Sequence, residues 1–454
     1  MSLYHKIKSN SCLRVNSLES LWRKDIEMPS FRTLEGEVKT DVLIIGGGIA
    51  GILTAHFLHS RGVQYILVEK GRICSGTTQN TTAKITSQHG LIYSKLVKKY
   101  GAEKAAMYYR ANEEALDEYK RLCLGIDCDF EIKDNYVYSV FDREIPEQEM
   151  SALKKIGCKA MFVDSLPLPI DIAGAVRFSN QAQFHPLKFL GAVAKNLNIY
   201  ENTFVREMKG NTAVTDKAVI CAENVIVATH FPFINKHGLY SLKLYQHRSY
   251  VLALENAQQL DGMYVDEDKK GLSFRTHGDL MLLGGGSHRT GKKGGNWAEL
   301  RRFAAEHYKS SAQVAHWAAQ DCMSLDEVPY IGSYSANTHR LFVASGFNKW
   351  GITGAMAAAK LLCDCIMDNK NDYLQLFAPD RNISAFQLLA NTVESAIGFV
   401  GFTGRRCPHL GCSLKWNRAE HSWDCPCHGS RFDEKGTLLD NPANGNLKIK
   451  PKKW

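Results

Sequence analysis

The residues with the most direct chemistry are four cysteines and two histidines near the end of the chain. They lie in two short motifs, CPHLGC from Cys407 to Cys412 and CPCHGS from Cys425 to Ser430. Thiolates and imidazoles at such spacing bind either a tetrahedral zinc ion or an iron–sulfur cluster with mixed ligands. The prolines and glycines of both motifs favour the cluster, because tight loops must then pass close to an inorganic core. A cluster with two thiolates on one iron and two imidazoles on the other would take one of each from each motif: Cys407, His409, Cys425 and His428.

A glycine-rich motif near the start of the chain has the spacing of a dinucleotide-binding turn. An apolar strand at 41–45 runs directly into GGGIAG, an apolar helix follows, and a second strand ends at Glu69. Gly46 allows the tight turn, Gly48 lets the backbone approach a pyrophosphate, and Gly51 lets the helix pack closely on the strand. The pyrophosphate would lie at the helix N-terminus, and Glu69 would accept hydrogen bonds from a ribose.

Three later segments favour FAD over NAD as the dinucleotide. A loop of small residues at 71–90 follows the second strand, with no immediate third strand. The strand VIVATHFP ends in a second close approach of backbone to the dinucleotide, and the segment NKWGIT leads into an apolar helix. The N-terminus of that helix is placed to stabilise the negative charge of a reduced flavin. These segments add six expected FAD contacts: Thr77, Thr78, Thr229, Gly351, Ile352 and Thr353.

The elements around these motifs are those of an ordinary α/β globular protein, with 44% hydrophobic and 23% charged residues. We expect a cytoplasmic protein, because the chain has no apolar run long enough to span a membrane and no secretory signal. The net charge of +9 is spread over the chain and no motif supports nucleic-acid binding. The basic stretch from Lys448 to Lys453 is either a solvated terminus or a docking surface for an acidic electron carrier. A second glycine cluster, Gly284–Gly286, lacks the helix and terminal acid of a nicotinamide site, and we interpret it as a turn leaving a strand.

The first part of the chain resembles the FAD-dependent amine and amino-acid oxidoreductases of the D-amino-acid oxidase/glycine oxidase superfamily, over roughly residues 36–370. The resemblance implies a Rossmann-like FAD-binding domain interleaved with an α+β substrate domain built on a mixed sheet. The FAD-binding parts would be about 38–100, 185–235 and 325–370, and the substrate parts about 101–184 and 236–324.

Two positions depart from the pattern of this family. Some members attach the flavin covalently through a histidine in the loop after the second strand. That position is Asn80 here, so we expect non-covalent FAD. Sarcosine-oxidase-like members bind the substrate carboxylate through an arginine at the position of Lys84, which keeps the charge but loses bidentate geometry.

The two Cys/His motifs resemble those of Rieske proteins of the cytochrome bc and related complexes. The resemblance implies the four ligands named above and a small all-β Rieske domain over about 371–454. It places Cys412 and Cys427 where respiratory members carry a disulfide, and Ser430 where a hydroxyl donates to a bridging sulfide. The domain is expected to be abbreviated, because the stretch before Cys407 is short and has a helical pattern.

The whole chain resembles bacterial flavin–Rieske fusion oxidoreductases, through GTTQNTTAKITSQHGLIY, DEVPYIG, GFNKWGITGA and CPCHGSRFD. This resemblance implies an oxidoreductase that oxidises a small amine or amino-acid-like substrate by hydride transfer to FAD. Electrons would then pass singly to the cluster and on to a one-electron carrier. The candidate catalytic residues are Lys84, Lys349 and Trp350. Weaker pocket candidates are His89, His247, Arg248 and Tyr250.

Three alternatives use the same motifs. Electrons could run from the cluster to the flavin, which would make the protein a reductase. The Rieske module could be degenerate and structural, leaving a plain flavin oxidase. The protein could instead be a redox sensor or electron-transfer protein whose flavin oxidises no metabolite. Rapid reduction of the flavin by a small amine would exclude this last alternative.

Overall fold

The computed structural model describes residues 19–24, 26–268, 271–399 and 404–448. Its strands are β1 (Gly36–Ile45), β2 (Tyr65–Val68), β3 (Lys84–Ile85), β4 (Glu131–Ser139), β5 (Met161–Val163), β6 (Gly174–Gln183), β7 (Ile199–Tyr200), β8 (Val205–Lys209), β9 (Thr212–Thr215), β10 (Ala218–Val227), β11 (Leu244–Glu255), β12 (Gly262–Asp266), β13 (Ser273–His277), β14 (Leu280–Arg289), β15 (Ala312–Ser324), β16 (Tyr330–Ser333), β17 (Leu341–Ser345), β18 (Lys415–Asn417), β19 (Ser422–Asp424), β20 (Arg431–Phe432) and β21 (Leu438–Asp440). Its helices are α1 (Ile49–Ser60), α2 (Tyr93–Cys123), α3 (Glu144–Lys155), α4 (Pro186–Ala194), α5 (Tyr240–Lys243), α6 (Asn296–His307), α7 (Gly351–Ile366), α8 (Leu374–Phe377) and α9 (Ala385–Ile397).

The first sheet is the predicted dinucleotide-binding layer. Its order is β16-β17-β10-β1-β2-β7, and the hairpin β8–β9 pairs with β10. The strands from β17 to β7 are parallel. Val42–Ile45 is apolar and buried, as expected for a parallel strand covered on both faces. Helices α1 and α7 pack against each other, so the ends of β1 and β17 lead into two neighbouring helices.

The second sheet has the order β15-β11-β14-β13-β12-β4-β6-β3, with β5 paired to β6. It is mixed, because β4 and β12 are parallel while the other pairs are antiparallel. Strand β3 lies in a stretch assigned from the sequence to the FAD-binding part but pairs with β6 in this sheet. The boundaries between the FAD-binding and substrate parts given above remain a prediction.

The interpretation of the second glycine cluster as a turn is wrong. Gly284–Gly286 lies inside β14, which continues to Arg289. The φ angle of Gly286 is 61°, and a Cβ atom there would lie 2.6 Å from the carbonyl oxygen of Asn296. The glycines therefore allow α6 to approach the sheet closely.

The third sheet is a small antiparallel one, with the order β18-β19-β20-β21. Helix α9 precedes it, as the apolar pattern around 383–402 predicted. The core of this part consists largely of the four motif cysteines, together with Leu414, Phe432, Ala443 and Leu447. Residues 449–453 of the basic tail lie outside the described residues. In the part of the chain that is described, no helix is both long and apolar enough to cross a membrane.

Candidate functional site

One cavity of about 460 Å³ lies between the first sheet and the face of the second. It joins the glycine-rich turn after β1 to the start of α7. Most of the residues predicted from the sequence to bind FAD or to act near it line this cavity: Gly46, Gly48, Glu69, Thr77, Thr78, Lys84, Thr229, Lys349, Trp350, Gly351 and Ile352.

Two predicted residues lie behind the cavity wall. A Cβ atom on Gly51 would lie 1.9 Å from the carbonyl oxygen of Gly46, so this glycine sets the packing of α1 on the turn. Thr353 is buried, and its hydroxyl donates to the carbonyl oxygen of Thr86 at 2.8 Å. The Thr353 Oγ1 atom also lies 2.8 Å from His89 Nε2. Both residues therefore support the site from outside its surface.

The glycine-rich turn has the geometry that a pyrophosphate requires. Gly46 has a φ angle of 115°, and a Cβ atom there would lie 2.5 Å from the carbonyl oxygen of Ala228. At the start of α1, the hydroxyl of Thr78 accepts a hydrogen bond from the Ile49 amide at 3.1 Å. Glu69 accepts hydrogen bonds from the amide of Gly47 at 2.7 Å and from that of Gly71 at 3.0 Å. The acid is thus fixed beside the turn, with lone pairs left for ribose hydroxyls.

The opposite end of the cavity is the N-terminus of α7. No side chain caps this helix. Its first amides therefore point toward the cavity end with the positive pole of the helix dipole. A cavity that joins two such helix N-termini fits an anionic dinucleotide with a flavin at its far end.

The loop that carries Lys84 is fastened at four consecutive carbonyl groups. Trp317 Nε1 donates to the carbonyl oxygen of Asn80 at 3.0 Å, and Trp22 Nε1 donates to that of Thr81 at 2.7 Å. Arg275 Nη1 donates to the carbonyl oxygens of the next two residues, Thr82 and Ala83, at 2.7 and 2.8 Å. These bonds hold the backbone of Lys84 against the cavity.

The Lys84 amine is buried and donates a hydrogen bond to Thr82 Oγ1 at 3.2 Å. Burial lowers the pKa of Lys84 to about 7, and the nearby charge of Arg275 adds to the shift. The amine can therefore both carry and release a proton near neutral pH, as a general base or a substrate anchor must.

A cluster of polar side chains around Asp321, on the second sheet, was not predicted from the sequence. Ser249 Oγ donates to Asp321 Oδ2 at 3.5 Å and lies 3.1 Å from Ser287 Oγ. Lys349 Nζ donates to Ser287 Oγ at 3.1 Å. Burial raises the pKa of Asp321, and the positive charge of Lys349 opposes this shift. Asp321 is the single acidic residue of β15, which was the available signal in the sequence.

The weaker pocket candidates separate into two groups. His89 and Tyr250 line the cavity, and burial lowers the pKa of His89 to about 3. Arg248 points away to the third sheet, where it forms an ion pair with Glu420. His247 is not among the described residues that line the cavity.

The two cysteine–histidine motifs form loops with the same backbone hydrogen bonds. In the first loop, the Cys407 amide donates to the carbonyl oxygen of Cys412 at 2.8 Å, and the Gly411 amide donates to the carbonyl oxygen of Cys407 at 2.9 Å. In the second loop, the Cys425 amide donates to the carbonyl oxygen of Ser430 at 2.8 Å, and the Gly429 amide donates to the carbonyl oxygen of Cys425 at 2.9 Å. Gly411 and Gly429 have φ angles of 80° and 83°, which explains the glycine in each loop.

The side chains of these loops fit a metal centre with mixed ligands. The rings of His409 and His428 lie 5.0 Å apart, and the buried Nδ1 atom of each has no hydrogen-bond partner among the described residues. Burial lowers their pKa values to about 4 and 3, so both imidazoles are neutral, as ligation requires. A hydrogen bond with the Cys425 thiol lowers the pKa of Cys407.

The thiols do not by themselves select one ligand set. The Sγ atoms of Cys412, Cys425 and Cys427 lie within 4.8 Å of one another, a grouping that would also suit zinc. All four motif cysteines are free thiols here. The two unpartnered Nδ1 atoms favour the predicted set of two thiolates and two imidazoles, because buried polar atoms without partners are rare.

The second cluster loop and one wall of the dinucleotide cavity are hydrogen-bonded to the same side chain, Gln246. The segment Leu438–Asn444, which we name the cover segment, lines the cavity. The amide group of Gln246 donates to the carbonyl oxygens of His428 and Asn441, at 2.9 and 2.8 Å. The ring of His428 lies 6.4 Å from that of Phe231, which directly follows two cavity residues.

Two family descriptions match the chain. "FAD dependent oxidoreductase" matches residues 41–365, and "Rieske [2Fe-2S] domain" matches residues 395–451. The Bacillus subtilis protein YhfW, described as a Rieske 2Fe-2S iron-sulfur protein, is 33% identical over an alignment that covers 95% of this chain and 97% of that protein.

Solved structures show the same fold for the first part of the chain. Glycine oxidase from Geobacillus kaustophilus matches with a TM-score of 0.63 and 20% identity, over 76% of this chain and all of that structure (100%). L-proline dehydrogenase from P. horikoshii matches with a TM-score of 0.62 and 17% identity, over 75% and 97%. The chain therefore belongs to the FAD-dependent oxidoreductases and joins that enzyme domain to a C-terminal Rieske [2Fe–2S] domain.

Proposed function

We propose that this enzyme oxidises a small amine or amino-acid-like molecule and passes the electrons singly through its own Rieske domain to a carrier protein. The observation that carries the proposal is that the cover segment lines the dinucleotide cavity, while Gln246 bonds both Asn441 of that segment and His428 of the second cluster loop. When bound, FAD accepts a hydride at its N5 atom and the [2Fe–2S] cluster accepts one electron at a time. Non-covalent binding of FAD is part of the proposal, since Asn80 offers no nucleophile.

The cavity residues divide the binding of such a substrate between them. The described residues that line the cavity include no arginine. Of the four lysines that line it, Lys84 and Lys349 would hold a carboxylate or another electron-rich group of the substrate. Asp321 Oδ2 would accept the proton of the substrate ammonium, because its raised pKa makes it a better base than an exposed carboxylate. Trp350 would close the cavity beside the start of α7 and keep water away.

The other predicted site residues have roles in holding the two cofactors. Gly46, Gly48, Glu69, Thr77, Thr78, Thr229, Gly351 and Ile352 would contact FAD, with Gly51 and Thr353 behind them. Cys407, His409, Cys425 and His428 would ligate the cluster. Cys412, Cys427 and Ser430 would surround it, and the Ser430 hydroxyl already bonds to the Cys407 thiol.

The test is anaerobic mixing of the purified holoprotein with a panel of amines and amino acids, beside dithionite as a reference reductant. Absorbance reports the flavin and EPR reports the cluster. We expect one substrate class to bleach the flavin before the signal of a reduced Rieske cluster appears. The opposite order would indicate a reductase, and flavin with zinc in place of a cluster would contradict the electron relay.

A variant tests the role of Asp321. We expect Asp321→Asn to slow flavin reduction by substrate roughly 10²- to 10⁴-fold, the usual size of a general-base contribution. Reduction by dithionite should not change. Asp279→Asn, an exposed carboxylate on the β13–β14 turn, is the matched control. Equal rates for the two variants would remove Asp321 from the proposal.

A further inference from the structure

Helix α9 lies on the molecular surface, and its orientation is set by polar contacts along one side. Gln387 donates to the carbonyl oxygen of Leu325 at 2.9 Å, and Asn391 donates to that of Leu242 at 2.9 Å. One turn further, Ser395 is buried against the second cluster loop. These three positions form the inner side of the helix. The opposite side of the helix therefore faces solvent.

The solvent-facing side of α9 is apolar. Phe386 is 77% exposed, Leu389 is 62% exposed and Val393 is 52% exposed. Their spacing of three and four residues forms a continuous stripe, and Phe399, which is 43% exposed, extends it past the end of the helix. We name these four residues the α9 stripe. Exposed apolar side chains grouped in this way are typical of interaction sites.

The end of α9 is in contact with the cluster loop. Cys427 Sγ donates to the carbonyl oxygen of Ser395 at 3.2 Å. Arg289 Nη2 donates to Ser395 Oγ and to the carbonyl oxygen of Cys427, both at 3.2 Å. A Cβ atom on Gly398 would lie 2.7 Å from Cys427 Sγ. A molecule bound to the stripe would therefore be separated from the second cluster loop by the width of α9, about 10 Å.

Two exposed cations, Arg406 and Lys293, lie near the stripe, and the one acidic residue of α9 is paired with a lysine. The exposed Arg406 donates from Nη1 to the carbonyl oxygen of Phe399 at 2.9 Å. Lys292 pairs with Glu394, the single charged residue of α9, at 2.7 Å, and the exposed Lys293 follows it. An apolar centre with a basic rim matches the anatomy of a protein interface with an acidic partner.

We propose that the α9 stripe is the docking surface for an acidic one-electron carrier protein, which exchanges electrons with the adjacent cluster. This inference rests on the proposed function, because it assumes a redox-active cluster. A lipid surface suits the stripe less well. Interfacial helices present Lys and Arg beside their apolar face, whereas α9 contains neither residue.

The experiment uses the full chain with both cofactors, reduced by dithionite and freed of excess reductant. Stopped-flow mixing with oxidised plastocyanin, an acidic blue-copper protein, gives the second-order rate of electron transfer. We expect Phe386→Gln/Leu389→Gln to lower this rate at least about tenfold, the effect of removing central interface residues. Arg406→Glu should also lower it, and salt should slow the wild-type reaction.

Two controls separate the surface from the cluster. Ferricyanide, which needs no docking surface, should oxidise wild type and variants equally. Phe141→Gln, a change of a 95% exposed residue far along the sequence from α9, should leave the plastocyanin rate unchanged. A plastocyanin rate unaffected by the stripe variant would overturn the inference while the proposed function stands.

A membrane partner would give a different result. Sedimentation with anionic phosphatidylglycerol vesicles that is lost in the stripe variant, with an unchanged plastocyanin rate, would assign the stripe to lipid and overturn the inference. Absence of the cluster EPR signal in wild type would contradict the proposed function itself, and the docking role with it.

Discussion

At the scale of single residues, the motif thiols are not equivalent. Cys407 and Cys425 are the predicted ligands, whereas Cys412 belongs to the three-thiol group with Cys425 and Cys427. We expect Cys407→Ser to lose iron and acid-labile sulfide, and Cys412→Ser to retain both when prepared anaerobically. Metal and sulfide analysis of the two variants is the measurement. Retention in Cys407→Ser with loss in Cys412→Ser would assign the metal to the three-thiol group.

Lys84 makes a prediction about stability and pH. Its pKa is about 7 in the folded chain, against 10.5 as the ordinary value, so the unfolded chain binds more protons between these two values. Wild-type stability should therefore rise with pH across that window relative to Lys84→Met, by up to about 1.4 kcal/mol per pH unit. Thermal unfolding at several pH values measures the difference.

The control for this prediction is Lys360→Met, a change of a surface lysine on α7 that lies 3.7 Å from Glu114. Its effect on the melting temperature should be small. If Lys84→Met and wild type show parallel pH profiles, the Lys84 amine does not titrate in this window and the lowered pKa assigned to it would be wrong.

At the scale of elements, side-chain hydrogen bonds hold the cover segment against the dinucleotide cavity, and Asn441 makes two of them. Asn441 Nδ2 donates to the carbonyl oxygens of Thr229 and Phe231, at 2.6 and 2.7 Å. Lys70 Nζ also donates to the carbonyl oxygen of Leu439, at 3.4 Å. We expect Asn441→Ala to speed the release of FAD roughly tenfold or more, because two partly buried carbonyl groups lose their donors. Recovery of free-flavin fluorescence after dilution measures the rate.

Asn211→Ala provides a matched control for the cover segment. Its Nδ2 atom also donates to a backbone carbonyl, that of Glu223 at 2.8 Å, but in a hairpin away from the cavity. FAD release should be unchanged in this variant. The same release rate in both variants would show that the cover segment does not retain the cofactor.

At the scale of the whole molecule, one buried ion network connects the oxidoreductase domain to the Rieske domain. Glu420 accepts hydrogen bonds from Arg248 Nε at 3.1 Å, from Arg431 Nη2 at 2.7 Å and from the Tyr250 hydroxyl at 3.1 Å. The charged side chains are no more than 8% exposed. We expect Glu420→Gln to lower the free energy of unfolding by about 3–5 kcal/mol, because it leaves buried guanidinium groups short of a counter-charge.

The pKa of Glu420 fixes the direction in which the stability of the protein changes with pH. Burial raises the pKa of Glu420, but the charges of Arg248 and Arg431 outweigh it and hold the pKa below 4.5. Its contribution to stability is therefore present above pH 4.5 and lost as the pH falls through the folded pKa. The hydrogen-exchange protection factors of β18–β20, which correct for the intrinsic pH dependence of exchange, should fall on acidification in wild type. In Glu420→Gln they should be low at every pH, whereas in Glu434→Gln, an exposed control, they should follow wild type.

Short-range patterns carried the prediction of both cofactor sites. The turn after β1 needs glycine at set spacings, and each cluster loop needs a glycine with positive φ one or two residues after its histidine. Such requirements are local, so they are visible in a few adjacent residues. These patterns, with the resemblance to known families, predicted the α/β fold, the helix at α9 and both cofactors. The interpretation of Gly284–Gly286 was wrong because the need for glycine there comes from α6, which approaches β14 only in the folded chain.

The sequence by itself therefore determined which cofactors the enzyme carries and predicted where along the chain each would bind. Only the tertiary structure decided that Asp321 faces Lys349 through two serines, that the cover segment closes the dinucleotide cavity, and that the apolar side of α9 faces solvent. The physical reason is distance along the chain. These arrangements depend on packing between strands, loops and helices tens to hundreds of residues apart, and no local spacing encodes which of them will meet.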